Sequence, residues 1–412
     1  MKRKHFMIAA AVLTMTACST DETVEVNRGN AITFNTVVDT RAEEKTQDNL
    51  TEFFVTALYD GVFLDNTCFE FDSESSSYVG KGGDVFWPKN NYSDNDGSNT
   101  TKVDFYVYYP SAESFKAESS SDDDNIGEID INTTNSEIKL KNFTPALNIS
   151  NQVDFVSGVA LQQTSTTKEG CVNLTLEHNL AQIEVKAKNT NSNFTYRVLG
   201  VQIGGIITGA EFDFKTGEWS NNDLKEYDDP DVGGYQNTTT CQGLLDNPIM
   251  LGENAVSIMP KENDNAMVVP QEHYPEMQVP NPKNPGVVAM SNGSFIGVLV
   301  NITSGDKQIF PQTEGNYQWV MLPLGNEDKT MTTKWEAGKK YVYTLDFSNG
   351  AGLVTGDTNE YNPEDLTEPI EPEEPYSPAD PIMNSTSISF KVTMTNWDSK
   401  VMDDNNMGNI DF

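Results

Sequence analysis

Basic residues and histidine are scarce in this chain. Among 412 residues there are 27 lysines and arginines against 62 aspartates and glutamates, and three histidines. The formal charge of −35 would repel a phosphate backbone, which excludes nucleic acid as a partner. It suits a well-solvated exterior. Past the first few residues the histidines are His178 and His273 alone. Neither belongs to an HExxH motif, and no GxSxG or phosphate-cradling glycine loop occurs, so the chain does not read as an enzyme and needs no cofactor. His178, between apolar strands, reads as a packed or hydrogen-bonded structural residue. Asp94-Asn95-Asp96-Gly97 resembles part of a calcium loop, but Tyr92 and Val103 fall at its first and twelfth places, so no metal site is expected. A long amphipathic helical pattern is also missing.

Cysteine is rare too. Cys18, Cys68, Cys171 and Cys241 are widely spaced and form no CxxC pair, which argues against both a zinc site and a disulfide framework. One bridge among the last three is left open. Cys18 stands apart. Met1–Ala17 has a basic start (Lys2, Arg3, Lys4) and an apolar stretch (Phe6–Leu13), too short for a membrane span. Met15-Thr16-Ala17-Cys18 then resembles a bacterial lipobox, with methionine where leucine is usual. The expectation is a secretory leader over 1–17, a lipid on Cys18, and attachment to the Gram-negative outer membrane at the cell surface. The acidic Asp21-Glu22 resembles a surface-export signal.

What is present is alternation. In Ala31–Ala42 (AITFNTVVDTRA), Ile32, Phe34 and Val38 point one way and Thr33 and Asn35 the other, the period of a half-buried strand. A polar segment with Arg41 and then Glu43-Glu44 follows at once, and looks cuttable. Residues 18–30 read as a polar tether. Short strands punctuated by glycine and proline follow: Phe53–Tyr59, Asp84–Trp87, the aromatic Val103–Tyr109, Ile129–Leu140 and Val153–Ala160. A second set holds Val172–Leu176, Ile183–Ala187, Tyr196–Ile203, Glu211–Phe214, Ala255–Met259, Phe295–Ile302, Trp319–Leu322 and Lys340–Phe347. Glu177–Ala181 suggests one helical turn, and Pro260–Pro285 an irregular loop. Such spacing predicts an all-β chain of antiparallel β-sandwich domains, one over 31–168 and one over 169–354.

Residues 355–384 differ from the rest. Proline recurs among aspartate and glutamate, which predicts an extended, partly polyproline-like linker. At its far end, within residues 385–412, Ser387–Met394 (SISFKVTM) puts Ile388, Phe390, Val392 and Met394 on one face. Ile32-Thr33-Phe34-Asn35 matches Ile388-Ser389-Phe390-Lys391. The match is firm for isoleucine and phenylalanine and loose at Thr36-Val37 against Val392-Thr393.

Several blocks, in order, resemble the fimbrillin (Mfa-like) family, the subunits of type V pili. They are the opening strand with Thr40-Arg41-Ala42, DFYVYYP (Asp104–Pro110), QVDFVSG (Gln152–Gly158), LTLEHNLAQIEVKAKN (Leu174–Asn189), GEWS (Gly217–Ser220), WEAGKKYVYTLDFSNGAG (Trp335–Gly352) and ISFKVTMTNW (Ile388–Trp397). The resemblance implies two transthyretin-like, Greek-key β-sandwiches in tandem, export as a lipoprotein, and cleavage by an arginine-specific protease between Arg41 and Ala42. Residues 31–41 would then be a removable first strand, with Ile32, Phe34 and Val38 as its apolar face. Ile388, Phe390, Val392 and Met394 would form the donor strand entering another pilus subunit, in support of cell adhesion. The rival expectation is a surface lipoprotein that does not polymerise and binds glycan or a host or bacterial surface ligand, as an adhesin, tip or anchor. Trp87, Tyr106, Tyr108 and Tyr109 are its candidate stacking residues.

Overall fold

Period-two apolar patterning with frequent turns leaves each strand one face to bury, and the described residues solve this with three large apolar cores and a small cluster around Trp319. The computed structural model describes residues 26–38, 50–88, 102–115, 125–165, 170–220, 225–226, 235–261, 264–273, 277–280, 288–291, 293–324, 334–354, 359–366 and 389–396. Among these there is no α-helix; two short 3-10 turns, Ala112–Ser114 and Ile149–Asn151, interrupt the strands. The chain is all-β.

The first core fills a closed barrel. Going round it, the strands are Val156–Gln163, Cys171–His178, Thr33–Val38, Ser77–Gly80, Val62–Asp72, Glu52–Leu58 and Val103–Tyr109. Phe34, Phe53, Phe69, Tyr78, Trp87, Phe105, Val107, Val172 and Leu174 meet inside. Two of its strands approach very closely at Gly158, where a Cβ would lie 2.4 Å from the Thr175 carbonyl oxygen. Only glycine lets them close the wall there.

The second core lies between two sheets. One runs Val256–Ser257, Ala181–Lys188, Lys339–Asp346, Ser389–Asn396, with Ala266–Val268 also paired to Ala181–Lys188. The other runs Thr238–Met250, Thr195–Ile207, Phe295–Ser304, Gln318–Pro323, Leu353–Val354, with Lys307–Phe310 paired to Phe295–Ser304. Ile183, Val185, Val198, Val201, Val298, Val300, Tyr343 and Leu345 fill the space between.

A third core joins the halves. The strands Ile126–Asn132 and Glu137–Thr144 share a four-stranded sheet with Ala210–Asp213 and Glu218–Ser220. Beneath it Tyr106, Tyr108, Phe143 and Phe155 pack with Phe212, Phe214, Met267 and Val269. Phe155 meets Phe212 edge to face at 5.0 Å, one of several such contacts worth about 0.5–1.5 kcal/mol each beyond area burial.

Three local expectations change. Glu177–Ala181 makes no helical turn: Glu177 and His178 finish one strand and Ala181 begins the next. The bend between them is braced, since Asn179 N–H donates to the Phe155 carbonyl (2.9 Å) and the Asn179 carbonyl accepts from Trp219 Nε1 (2.7 Å). Within Pro260–Pro285, Ala266–Val268, Gln271–Glu272 and Met277–Pro280 are short strands, because edge positions tolerate proline between them. The tether also carries structure: Val26–Ala31 pairs antiparallel with Phe86–Pro88.

Candidate functional site

The opening strand Thr33–Val38 is a stave of the barrel. On one side it pairs parallel with Cys171–His178, from Thr33 opposite Cys171 to Val38 opposite Leu176. On the other side the register with Ser77–Gly80 is a single pair, Phe34 opposite Tyr78. Parallel pairing is slightly the weaker kind per residue, so side-chain burial carries much of the attachment. Ile32 is 1% exposed and Phe34 0%, while Asn35 faces solvent. The Phe34 ring lies edge-on to Phe53 (5.7 Å), Phe69 (4.9 Å) and Phe105 (5.4 Å), at the middle of the first core.

Thr36 follows the same parity and also points inward, 4% exposed. Its Oγ1 makes no close hydrogen bond, and the group it interacts with is the Tyr78 hydroxyl. Tyr78 gives its own proton to the Leu50 carbonyl at 2.6 Å, which leaves its oxygen free to accept from Thr36. Burial raises the Tyr78 hydroxyl above its ordinary pKa, so it stays neutral.

The terminal strand Ser389–Asn396 lies on the edge of the five-stranded sheet, antiparallel to Lys339–Asp346. Phe390 is opposite Leu345, Val392 opposite Tyr343 and Met394 opposite Tyr341. Val392 is half-buried against the second core, but Met394 is 56% exposed. Among its described side chains, the strand's apolar face is therefore only partly covered where it sits.

The stem of the linker is tied down. Glu360 carboxylate oxygens accept the N–H groups of Gln312 (3.1 Å) and Thr313 (2.9 Å). The Thr313 hydroxyl and backbone bonds hold this carboxyl below its usual pKa. Tyr361 and Tyr317 exchange backbone hydrogen bonds, 2.8 Å each way, and Tyr361 and Leu366 pack against the Trp319 cluster.

Other candidates fall inside the fold. Trp87, Tyr106 and Tyr108 are buried and Tyr109 is half-buried. Tyr108 Oη and Thr56 Oγ1 share a 2.9 Å hydrogen bond in the wall. His178 Nδ1 is 2.6 Å from Asp154 Oδ2, both buried where the barrel meets the second sheet. Cys68, Cys171 and Cys241 are free thiols. No cluster of metal-ligating side chains occurs among the described residues. Cys18, Arg41, Ala42, Ile388 and Trp397 lie outside the described residues, as do the side chains of Val38 and Phe390. The inward Thr36 was not legible as such: a threonine on a buried face breaks the alternation used to find that face.

The model of the fimbrillin-like family matches residues 38–360. The terminal strand and nearly all of the opening strand lie outside that match. Solved structures that match include a fimbrial protein from Bacteroides vulgatus, 14% identical, covering 89% of this chain and 99% of that one at a TM-score of 0.48. A candidate cell adhesion protein from Bacteroides uniformis is 13% identical, covering 77% and 93% at 0.36. Another from Parabacteroides distasonis is 13% identical, covering 89% and 99% at 0.39. A comparison with curated proteins finds no match.

Proposed function

Because the chain belongs to the fimbrillin-like family, we propose that it is a structural pilus subunit, not an enzyme, that assembles by exchanging its opening strand for the terminal strand of another subunit. In this reading the fold is two transthyretin-like sandwiches, 31–168 and 169–354, with Cys171–His178 crossing over to complete the first, followed by the linker 355–384. The chain reaches the outer membrane as a lipoprotein on Cys18. An arginine-specific protease cuts between Arg41 and Ala42, releasing the lipid with the opening strand. The surface fibre then supports adhesion.

One observation carries the proposal: the opening strand is shut inside a core, whereas the described apolar side chains of the terminal strand, Val392 and Met394, are only partly covered. Ile32 and Phe34 are shut inside the barrel, whereas Met394 is left largely in water. Full burial of a large apolar side chain is worth roughly 1.5–3 kcal/mol. Moving the terminal strand from its sheet edge into a vacated barrel slot would therefore gain apolar burial and keep a backbone ladder, as in strand-addition recognition generally. Before cleavage the covalently attached strand wins through its effective concentration. After cleavage it is an ordinary competitor. Residues 367–388 connect the anchored stem at Leu366 to the terminal strand. An extended proline-rich segment of that length spans several tens of ångströms, at about 3.1 Å per residue.

The choice of Arg41 has support in the other arginines. The chain has Arg3, Arg28, Arg41 and Arg197. Arg197 sits within Thr195–Ile207, paired on both sides, and a protease needs an extended, unpaired backbone, which disfavours it. Arg28 lies on Val26–Ala31, ahead of the opening strand, so a cut there would leave that strand attached. The ligand-binding alternative lacks a comparable observation, since Trp87, Tyr106 and Tyr108 are packed inside.

The test is treatment of the purified full chain with an arginine-specific protease, followed by N-terminal sequencing and electrophoresis in mild detergent. A new terminus at Ala42 and a ladder of oligomers is the expected result. A ladder formed equally well by an Arg41→Ala variant would overturn the mechanism.

A further inference from the structure

Resting on the strand-exchange reading, we propose that residues 359–366 are a clamp that carries the pull of a neighbouring subunit into the central strand Phe295–Ser304, and so keeps that pull off the second core. In a fibre joined by terminal strands, each strand seated in one copy is tied by the linker to the body of another. Load therefore enters a subunit where its linker leaves the fold. Among the described residues upstream of the clamp, the nearest hold is Leu353–Val354. It pairs with Gln318–Pro323 at two positions, Val354 opposite Val320 and Leu353 opposite Met321. Just before it stand Phe347 and Ala351, both 0% exposed in the second core. A pull that reached Leu353–Val354 would peel that pair and then draw on the core.

The clamp meets the load first. Both Glu360 carboxylate oxygens are engaged, one by the Gln312 N–H (3.1 Å) and one by the Thr313 N–H (2.9 Å). Hydrogen bonds to a charged acceptor are stronger than those between neutral groups. Beside them, Tyr361 and Tyr317 exchange backbone bonds, and Tyr361 and Leu366 pack on Leu199, Leu299 and Trp319. The turn that receives Glu360 is itself braced from the sheet. Gln308 Nε2 donates to the carbonyls of Pro311 (2.9 Å) and Thr313 (2.6 Å), and Gln308 Oε1 accepts from the Gly315 N–H (2.9 Å). The same oxygen accepts from Asn301 Nδ2 at 2.7 Å, and Asn301 Nδ2 also reaches the Asn316 carbonyl at 2.8 Å. Asn301 is 5% exposed and lies on Phe295–Ser304, which pairs with Thr195–Ile207 on one side and Gln318–Pro323 on the other. Hydrogen bonds thus connect Glu360 to a strand fixed along both edges.

Full-length, uncut proteins held in optical tweezers test this. One handle is attached at position 253, in the exposed turn between Thr238–Met250 and Val256–Ser257, and the other beyond the terminal strand. Pulling detaches Ser389–Asn396, straightens residues 367–388 and then loads the clamp. In the parent the clamp should open as a separate step before the core yields, lengthening the chain by up to about 29 Å, eight residues at full extension. At a given force the clamp of Glu360→Ala and of Gln308→Ala should open about tenfold more often, and the core should then unfold at lower force. Glu364→Gln, an exposed carboxylate on the same segment, should match the parent. A parental core that yields before the clamp, or Glu360→Ala that matches Glu364→Gln, would overturn the clamp. Gln308→Ala that matches Glu364→Gln would overturn the path through Asn301. These measurements need no assembly, so strand exchange is judged separately, on the parent cut at Arg41. Oligomers there without a clamp step in the tweezers would refute the clamp alone, whereas an absence of oligomers would remove the fibre load and the proposed role with it.

Discussion

Val392 lies across the ladder from Tyr343, and only one of the two is fully buried. Tyr343 is locked in the second core, its hydroxyl accepting from Trp335 Nε1 at 3.0 Å. Val392 covers it from the sheet edge, half in water. The terminal strand is thus the outermost layer of that sheet, and nothing beyond it among the described residues depends on it. A Val392→Asp variant should release the strand while sparing the rest. Amide exchange over 389–396 should quicken at least tenfold, with Ala181–Lys188 unchanged, since a partly buried valine contributes about 1–2 kcal/mol. Mass-resolved hydrogen exchange reads this directly; equal protection in both proteins would show that the edge is held by backbone pairing alone.

How far the sequence spoke depends on how cleanly each strand alternates. Ile32 and Phe34 were legible because one face of their strand is buried and the other wet. Val62–Asp72 was not: it forms the outer barrel wall, and Asn66, with φ at 41°, breaks its pleat. Thr238–Met250 was missed for a similar reason, since its pairing with Thr195–Ile207 shifts register twice. The resting place of the terminal strand was invisible, because a strand's own pattern names a face and not a neighbour. The shared sheet was hidden for the same cause: Glu137–Thr144 and Ala210–Asp213 meet across many residues of sequence.

Phe34 should be the most costly single residue to truncate in the opening strand. It touches three phenylalanines, and no side chain can swing into the space it leaves without breaking those contacts. Phe34→Ala should lower stability by about 3–5 kcal/mol, and Asn35→Ala, on the wet face, by no more than about 0.5 kcal/mol. Guanidinium unfolding of the uncut proteins measures both. Similar midpoints for the two variants would mean that the barrel does not depend on this stave.

Acid should act on the second half of the chain in two windows. His273 packs edge-on against Trp335 at 4.5 Å, and burial pushes its pKa from 6.5 down to about 4. Between those values the unfolded chain binds a proton that the folded one refuses, so stability falls as pH drops below 6.5. The full loss, reached near pH 4, is at most about 3 kcal/mol. Asp346 behaves oppositely: despite desolvation, its hydrogen bonds from Ser348 and Lys188 hold it below the ordinary carboxylate value of 3.8. Its contribution is present above that value and lost only in stronger acid. A His273→Phe variant should therefore flatten the melting temperature between pH 6.5 and 4 and leave the steeper fall below pH 4. A parental slope in the variant would assign the first window to other groups.

A covalent lock asks whether the opening strand must leave. Thr33 lies opposite Cys171, at the start of the parallel ladder and away from the core-facing side chains. Neighbouring strands run about 5 Å apart, within the Cα range a disulfide spans. Thr33→Cys should thus oxidise onto Cys171. The other thiols compete poorly: burial, aided by Glu52, pushes Cys68 up to about 11, and burial pushes Cys241 up to about 12. Neither offers much thiolate, the reactive form, near pH 8. After cleavage at Arg41 the oxidised variant would keep its strand stapled in place. It should stay monomeric, and a reductant should restore assembly to the parental extent. Gel filtration before and after reduction separates the cases. Oligomers that form as readily from the oxidised protein as from the reduced one would mean that the barrel slot never empties, and that subunits join through another surface.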